Sequence, residues 1–233
     1  MLLYIIRHGD PIYNPDTLTP KGRLQAQALA KRLAVHGLDK VYSSPMGRAV
    51  ETAQPTCELL GLPLNTEEWT REIDDRFMLT MPDGSTKFVV NVENTVYRAQ
   101  DCIDLGKDWH KAEIFGSIDA KKEYELLCEK SDEFLARHGY TREGGVYKIT
   151  GGNSDRIAVF CHGGFISMWL SHLLGIPPHI FMAGIGINHT GVTILDFENR
   201  ESGYTAPYCL ALSDVSHIYK ENLPLRFTNY TDI

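Results

Sequence analysis

Two apolar runs, Leu2 to Ile6 and Ile157 to Cys161, each break off into histidine and glycine: Arg7-His8-Gly9 after the first, His162-Gly163-Gly164 after the second. A short run without polar alternation is the pattern of a strand covered on both faces, the environment of a parallel sheet wrapped by helices. Side by side in such a sheet, the two strands bring their His-Gly ends to one carboxyl edge, where open α/β sheets receive ligands. The chain is therefore read as α/β, a three-layer sandwich with a mostly parallel sheet and helices on both faces.

The intervening segments fit that frame. Thr19-Pro20 supplies an N-cap and a proline at the first helical position; Leu24, Ala28, Leu29 and Leu33 follow at helical spacing, and Gly37 closes the helix. Val41-Tyr42 reads as a brief strand, and Ser44-Pro45 as the start of a second helix running to about Leu60, ahead of Gly61 and Pro63. A further helix after Gly163 carries Met168, Leu170 and Leu174, and Val192 to Phe197 and Tyr208 to Leu212 read as strands.

From about 74 to 150 the pattern is less regular. It holds one amphipathic stretch, Ser117 to Arg137, with Leu126, Leu127, Phe134 and Leu135 on one side, and a hairpin from Tyr140 to Ile149 folded about Glu143-Gly144-Gly145. A chain of 233 residues with 43% hydrophobic content suffices for one sizeable core. The reading is a single domain over 1–233, with an insertion or cap at about 74–150.

A formal net charge of −7 argues against nucleic acid or an anionic membrane as the main partner, and no apolar run approaches the roughly 18 residues of a membrane span. The opening residues lack a basic n-region and a small-residue cleavage site, so they read as strand rather than signal peptide. Cys57, Cys102, Cys128, Cys161 and Cys209 are scattered singly with no Cys-x-x-Cys spacing, which suits reduced thiols in the cytoplasm. The sequence is compatible with a homo-oligomer. An anionic small molecule stays open as a partner, because screening over roughly 8 Å lets a local arginine cluster hold an anion against the global charge.

Such a cluster is present. Ser44-Pro45-x-x-Arg48 puts a second arginine beside Arg7 at the same sheet edge, and two planar guanidinium forks suit a tetrahedral dianion. Arg48 in the first turn of a helix opposes the helix dipole, which a nearby anion would explain. The helix starting after Gly163 is expected to offer its N–H groups to the same anion. An imidazole flanked by two cations has a lowered pKa, leaving it unprotonated near neutral pH. A small phosphorylated substrate, or inorganic phosphate, is the natural guest. The remaining histidines show no metal-ligand spacing and no Walker-type loop is present, so neither metal nor cofactor is implied.

Taken in order, Arg7-His8-Gly9, Asn14, Leu18-Thr19-x-x-Gly22-x-x-Gln25-Ala26, Ser44-Pro45-x-x-Arg48-Ala49-x-x-Thr52-Ala53 and His162-Gly163 resemble the histidine phosphatase superfamily, the phosphoglycerate-mutase-like proteins, in its phosphatase branch with the Arg-His-Gly motif. Residues 74–150 carry little of that resemblance. It implies that His8 takes the phosphoryl group while Arg7, Arg48 and His162 bind its oxygens, with Gly9, Asn14 and Gly163 contributing to substrate binding. It also implies a proton donor within Arg71-Glu72-Ile73-Asp74; Glu72 is the choice, against the bland reading of a solvated Arg71/Glu72 pair, with Asp74 and Asp75 as substitutes.

The resulting function is metal-independent hydrolysis of a small phosphorylated metabolite through phosphohistidine. A mutase of the same superfamily ranks below it, because Lys87, Arg98, Lys107 and Lys111 include no paired arginines for a phosphorylated carboxylate. A phosphate-binding module without turnover ranks lower still. Cys161 invites a cysteine-phosphatase reading, but Ser167 stands where that chemistry needs an arginine, so Cys161 is assigned to the core. Trp69, Phe77, Tyr97, Trp109 and Phe115 are expected mostly to fill core rather than line a pocket.

Overall fold

A computed structural model of the chain describes residues 1–224, and of 226–228 and 231–232 the backbone alone. Its central sheet holds six strands, β1 (Leu2–Arg7), β2 (Lys40–Ser43), β3 (Leu64–Thr66), β4 (Arg156–Cys161), β5 (Val192–Asp196) and β6 (Tyr208–Asp214), in the order β6-β5-β1-β4-β2-β3. The two apolar runs are neighbours: β1 and β4 pair in parallel, Leu3 opposite Ile157 and Arg7 opposite Cys161. Strands β2 and β3 extend the parallel set, whereas β5 runs antiparallel to both β1 and β6. The sheet is thus mostly parallel, with an antiparallel edge.

Side chains of successive strand residues point to opposite faces, and here both faces are covered. Ile6, Val41, Ala158 and Phe160 face helices α1 (Pro20–Ala34) and α2 (Gly47–Leu60), packing with Leu29, Leu33, Ala53 and Cys57. Leu3, Ile5, Ile157, Val159 and Cys161 face the other layer, meeting Phe134 of α3 (Ala120–Arg137) and Phe165 and Trp169 of α4 (Gly163–Leu174). Helix α5 (Pro178–Gly184) adds Phe181 to that layer.

Local chemistry sets the helix ends. Thr19 Oγ1 accepts the N–H of Gly22 at 3.0 Å, capping α1. Helix α2 begins at Gly47, later than the Ser44-Pro45 pair suggests, because Asp16 from a distant loop accepts the Gly47 N–H at 2.7 Å and does the capping. It ends on Gly61 in the left-handed region, φ 67°. Helix α3 starts at Ala120, capped by Asp119, and buries Leu127, Phe134 and Leu135 but leaves Leu126 exposed.

Residues 74–150 do not form a separate core. Phe77, Tyr97, Trp109 and Phe115 are buried in the same cluster as Leu3 and Ile5 of β1, and Trp69 packs at its edge against Phe165 and Trp169. The hairpin forms as expected, Tyr140–Glu143 pairing with Val146–Ile149 about Gly144 and Gly145. A second, unexpected hairpin joins Met78–Thr80 to Thr86–Phe88. Among the described residues, no helix is long and apolar enough to cross a membrane.

Candidate active site

The parallel register decides what meets at the sheet edge. Past the ends of their strands, the His8 N–H donates to the Cys161 carbonyl at 2.9 Å and the Ser44 N–H to the Phe160 carbonyl at 2.8 Å. His8, Ser44 and His162 therefore leave three adjacent strands side by side. The rings of His8 and His162 lie 5.2 Å apart, and His162 Nε2 meets Ser44 Oγ at 2.8 Å. Ser44 is thus a holder of His162 rather than a helix cap.

His8 is buried, and its Nδ1 lies 2.7 Å from the Gly9 carbonyl. A carbonyl only accepts, so the proton sits on Nδ1 and Nε2 keeps its lone pair. Burial drives the His8 pKa well below the ordinary histidine value, with Arg7, His162 and His189 adding to it. The expected direction is right, but desolvation, more than cationic neighbours, is its largest cause.

Arg7 Nη1 donates to the Ile187 carbonyl at 2.6 Å, which aims its fork into a cavity of about 1000 Å³ over the sheet edge. Arg48, also buried, donates to Asp16 Oδ1 at 2.7 Å and lies under the Tyr13 ring. Asp16 is the anion that compensates a cation in the first turn of α2, so the helix-dipole argument is answered within the chain. Arg7 Nε, Arg48 Nε and His162 Nδ1 are buried without a hydrogen-bond partner among the described residues, and the two guanidinium N–H groups are donors of the kind that suits an oxyanion.

Glu72 is not half of a solvated pair with Arg71. Arg71 pairs instead with Glu68 at 3.0 Å. The Glu72 carboxylate turns inward and accepts the N–H groups of Gly164 at 3.2 Å and Phe165 at 2.8 Å. This corrects one expectation: the start of α4 gives these N–H groups to an internal carboxylate, not to the ligand. Burial raises the Glu72 pKa, while those backbone bonds and Arg7 pull against the rise. Gly164 leaves room for both neighbours: a Cβ there would overlap the Phe88 ring and stand 2.8 Å from Glu72 Oε1, so one of those side chains would have to shift. Asp74 also borders the cavity, whereas Asp75 lies outside it beside Arg76.

Arg7, His8, Arg48, Glu72 and Gly163 line one cavity, with His162 buried next to His8. Two expected substrate contacts are not brought there. Gly9 has both backbone groups committed, its N–H to Thr52 Oγ1 at 2.9 Å and its carbonyl to His8, so it orients the imidazole. Asn14 is exposed outside the lining, because its loop sends Asp16 to Arg48 and presents Tyr13 to the cavity instead. Sequence reasoning missed Tyr13, Asp16 and the far wall of Met78, Phe88, Val90 and Asn91. Cys161 is buried in the core with its thiol pKa raised by burial. Among the described residues, no group of three or more His, Cys, Asp or Glu side chains is placed to hold a metal ion.

Two histidines, two arginines and a buried carboxyl over the carboxyl edge of this sheet define a protein class. Residues 3–76 and 107–206 match the model of the histidine phosphatase superfamily, branch 1, and the chain belongs to that family. The internal stretch left between the two matched segments is 77–106, shorter than the insertion read from the sequence. A probable phosphoglycerate mutase from Yersinia enterocolitica is 24% identical over 187 residues, 76% of each chain. A putative phosphoserine phosphatase from Hydrogenobacter thermophilus is 36% identical over 80 residues, 30% of this chain and 39% of the relative. Among solved structures, phosphoserine phosphatase from Entamoeba histolytica in complex with 3-phosphoglyceric acid superposes with a TM-score of 0.62 at 19% identity, covering 93% of this chain and 98% of that one. A mycobacterial glucosyl-3-phosphoglycerate phosphatase does so at 0.60 and 21%, covering 91% and 98%. The phosphatase and mutase names mark the span of activities among these relatives.

Proposed function

We propose that the chain is a metal-independent phosphatase that hydrolyses a small phosphorylated metabolite through a phosphohistidine on His8. The observation that carries this reading is the tautomer of His8: Nδ1 is tied to the Gly9 carbonyl, leaving the Nε2 lone pair beside Arg7 and Arg48. In the first step Nε2 attacks phosphorus, an N–P bond forms, and the ester P–O bond breaks. The departing oxygen takes its proton from the Glu72 carboxyl, whose raised pKa favours the protonated form. In the second step Glu72 takes a proton from water, the water oxygen attacks phosphorus, and the N–P electron pair returns to Nε2. Arg7, Arg48 and His162 supply the positive field for the phosphoryl oxygens throughout, the part a metal ion plays elsewhere.

Rapid quenching with a ³²P-labelled ester tests this. The wild-type chain is expected to carry an acid-labile, alkali-stable adduct, the His8→Ala chain none, and chelator treatment is expected to leave turnover unchanged. The same adduct on His8→Ala protein would overturn the assignment.

A further inference from the structure

Residues 77–106, which the family model does not match, build much of the wall that faces the phosphoryl site. The N–H of Val89 donates to the Phe77 carbonyl, and Tyr97 Oη donates to the Val89 carbonyl at 2.7 Å, fixing this backbone against the core. Val89 faces inward, so its neighbours Phe88 and Val90 face the cavity. The Phe88 ring stands against Gly164, next to the Glu72 carboxylate. Under the phosphatase reading, the atoms just beyond the departing oxygen therefore meet an aromatic edge. Met78, Met182 and Ile185 continue the apolar surface, and Asn91, Asn94 and Ser167 are its neutral polar members.

Charge is distributed in the opposite sense to what an acidic leaving group needs. The only cations lining the cavity among the described residues are Arg7 and Arg48, both at the sheet edge where the phosphoryl group sits, and Arg48 is already paired with Asp16. Away from that edge Asp74 adds a carboxylate near the Glu72 carboxyl. Lys87 belongs to the same segment but pairs with Glu93, and Arg98 is exposed, its Nη2 adjoining the lining residue Gly184; neither is itself among the lining residues. A carboxylate on the leaving group would lose water without gaining a cation, and would share the cavity with the Asp74 side chain. The volume of about 1000 Å³ is at the upper end for small-molecule sites and leaves room well beyond a phosphate.

We infer that the substrates are phosphate monoesters of bulky, uncharged alcohols or phenols with an apolar face, and that esters whose leaving group bears a carboxylate are rejected. This rests on the phosphatase reading and adds the substrate class to it.

The test uses matched pairs on the full chain: benzyl phosphate against 4-carboxybenzyl phosphate, and glycerol 3-phosphate against 3-phosphoglycerate. The uncharged member of each pair is expected to have the higher kcat/KM by about ten-fold or more. Val90→Arg, which adds a cation to an exposed part of the wall, is expected to shrink the benzyl ratio by about ten-fold. Equal or better turnover of the carboxylated members would overturn the inference, as would a 3-phosphoglycerate activity that disappears in Arg98→Ala. Calorimetric binding of benzylphosphonate and 4-carboxybenzylphosphonate makes the same comparison without turnover. A preserved binding preference with no hydrolysis of any ester would sink the phosphatase reading alone; equal affinities would sink the substrate class.

Discussion

The sheet edge and the wall opposite it are built on different physical terms. At the edge every side chain proposed to take part in the reaction has a polar lock: His8 on the Gly9 carbonyl, Arg7 on the Ile187 carbonyl, Arg48 on Asp16, His162 on Ser44, and Glu72 on the first turn of α4. Across the cavity, the backbone carrying Met78, Phe88 and Val90 is hydrogen-bonded and packs on Phe77, Val89 and Tyr97, but their side chains carry no polar lock of their own. Hydrogen bonds fix direction to within a narrow cone, which phosphoryl transfer needs; apolar contact fixes shape, which suffices for choosing a leaving group. The chemistry and the selectivity are thus separable.

Changes to the oxyanion-holding groups at the edge are expected to lower turnover of all esters alike, whereas loss of the proton donor is expected to depend on the leaving group. Arg48→Ala is the largest, a fall in kcat/KM of about 10³-fold, measured with both alkyl and aryl phosphates. Unequal loss across leaving groups would mean that Arg48 reads the alcohol instead. Glu72→Gln follows, with a loss of about 10²-fold on alkyl phosphates and much less on p-nitrophenyl phosphate, whose phenolate departs without a proton.

The pH profile sharpens the same point. His8 must be unprotonated, and its pKa is depressed, so the acid limb of kcat/KM lies below the ordinary histidine range. Glu72 must be protonated, and its pKa is raised, so activity falls as pH climbs through a value above the ordinary carboxylate range. In Glu72→Gln the alkaline limb is expected to vanish and the acid limb to stay; an unchanged alkaline limb would move the donor to another group, Asp74 first.

Gly164→Ala tests the point where the two regions touch. Overpacking against Phe88 and Glu72 is expected to lower stability by about 1–3 kcal/mol, seen as a reduced midpoint in urea, and to alter turnover and leaving-group preference together. Phe88→Ala is the smallest, a loss of about ten-fold or less on benzyl phosphate, with inhibition by inorganic phosphate unchanged. Weakened phosphate inhibition in that variant would break the separation.

Legibility followed the same divide. His8, Arg7, Arg48 and His162 were readable because each stands at a fixed place relative to a strand end or a helix start, and the parallel sheet does the rest. Glu72 was readable only as one of several acids, since nothing in Arg71-Glu72-Ile73-Asp74-Asp75 tells which side chain turns inward; the Gly164 and Phe165 N–H groups, far along the chain, make that choice. Asp16 carries no local signal, and its role comes from reaching Gly47 and Arg48 across a loop. In Phe88-Val89-Val90 all three residues are apolar, so no pattern separates the one in the core from the two on the cavity wall.

By itself, the sequence determined a two-sided parallel sheet with histidines at two strand ends and two arginines beside them, because backbone periodicity and strand register act over a few residues and are written in local pattern. Only the tertiary structure decided which carboxyl joins them, which groups lock them in place, and that the opposite wall is largely apolar and, among the described residues, carries no cation. Those outcomes depend on contacts between segments distant in the chain, where burial and the partner present, not the residue type, set what a side chain does.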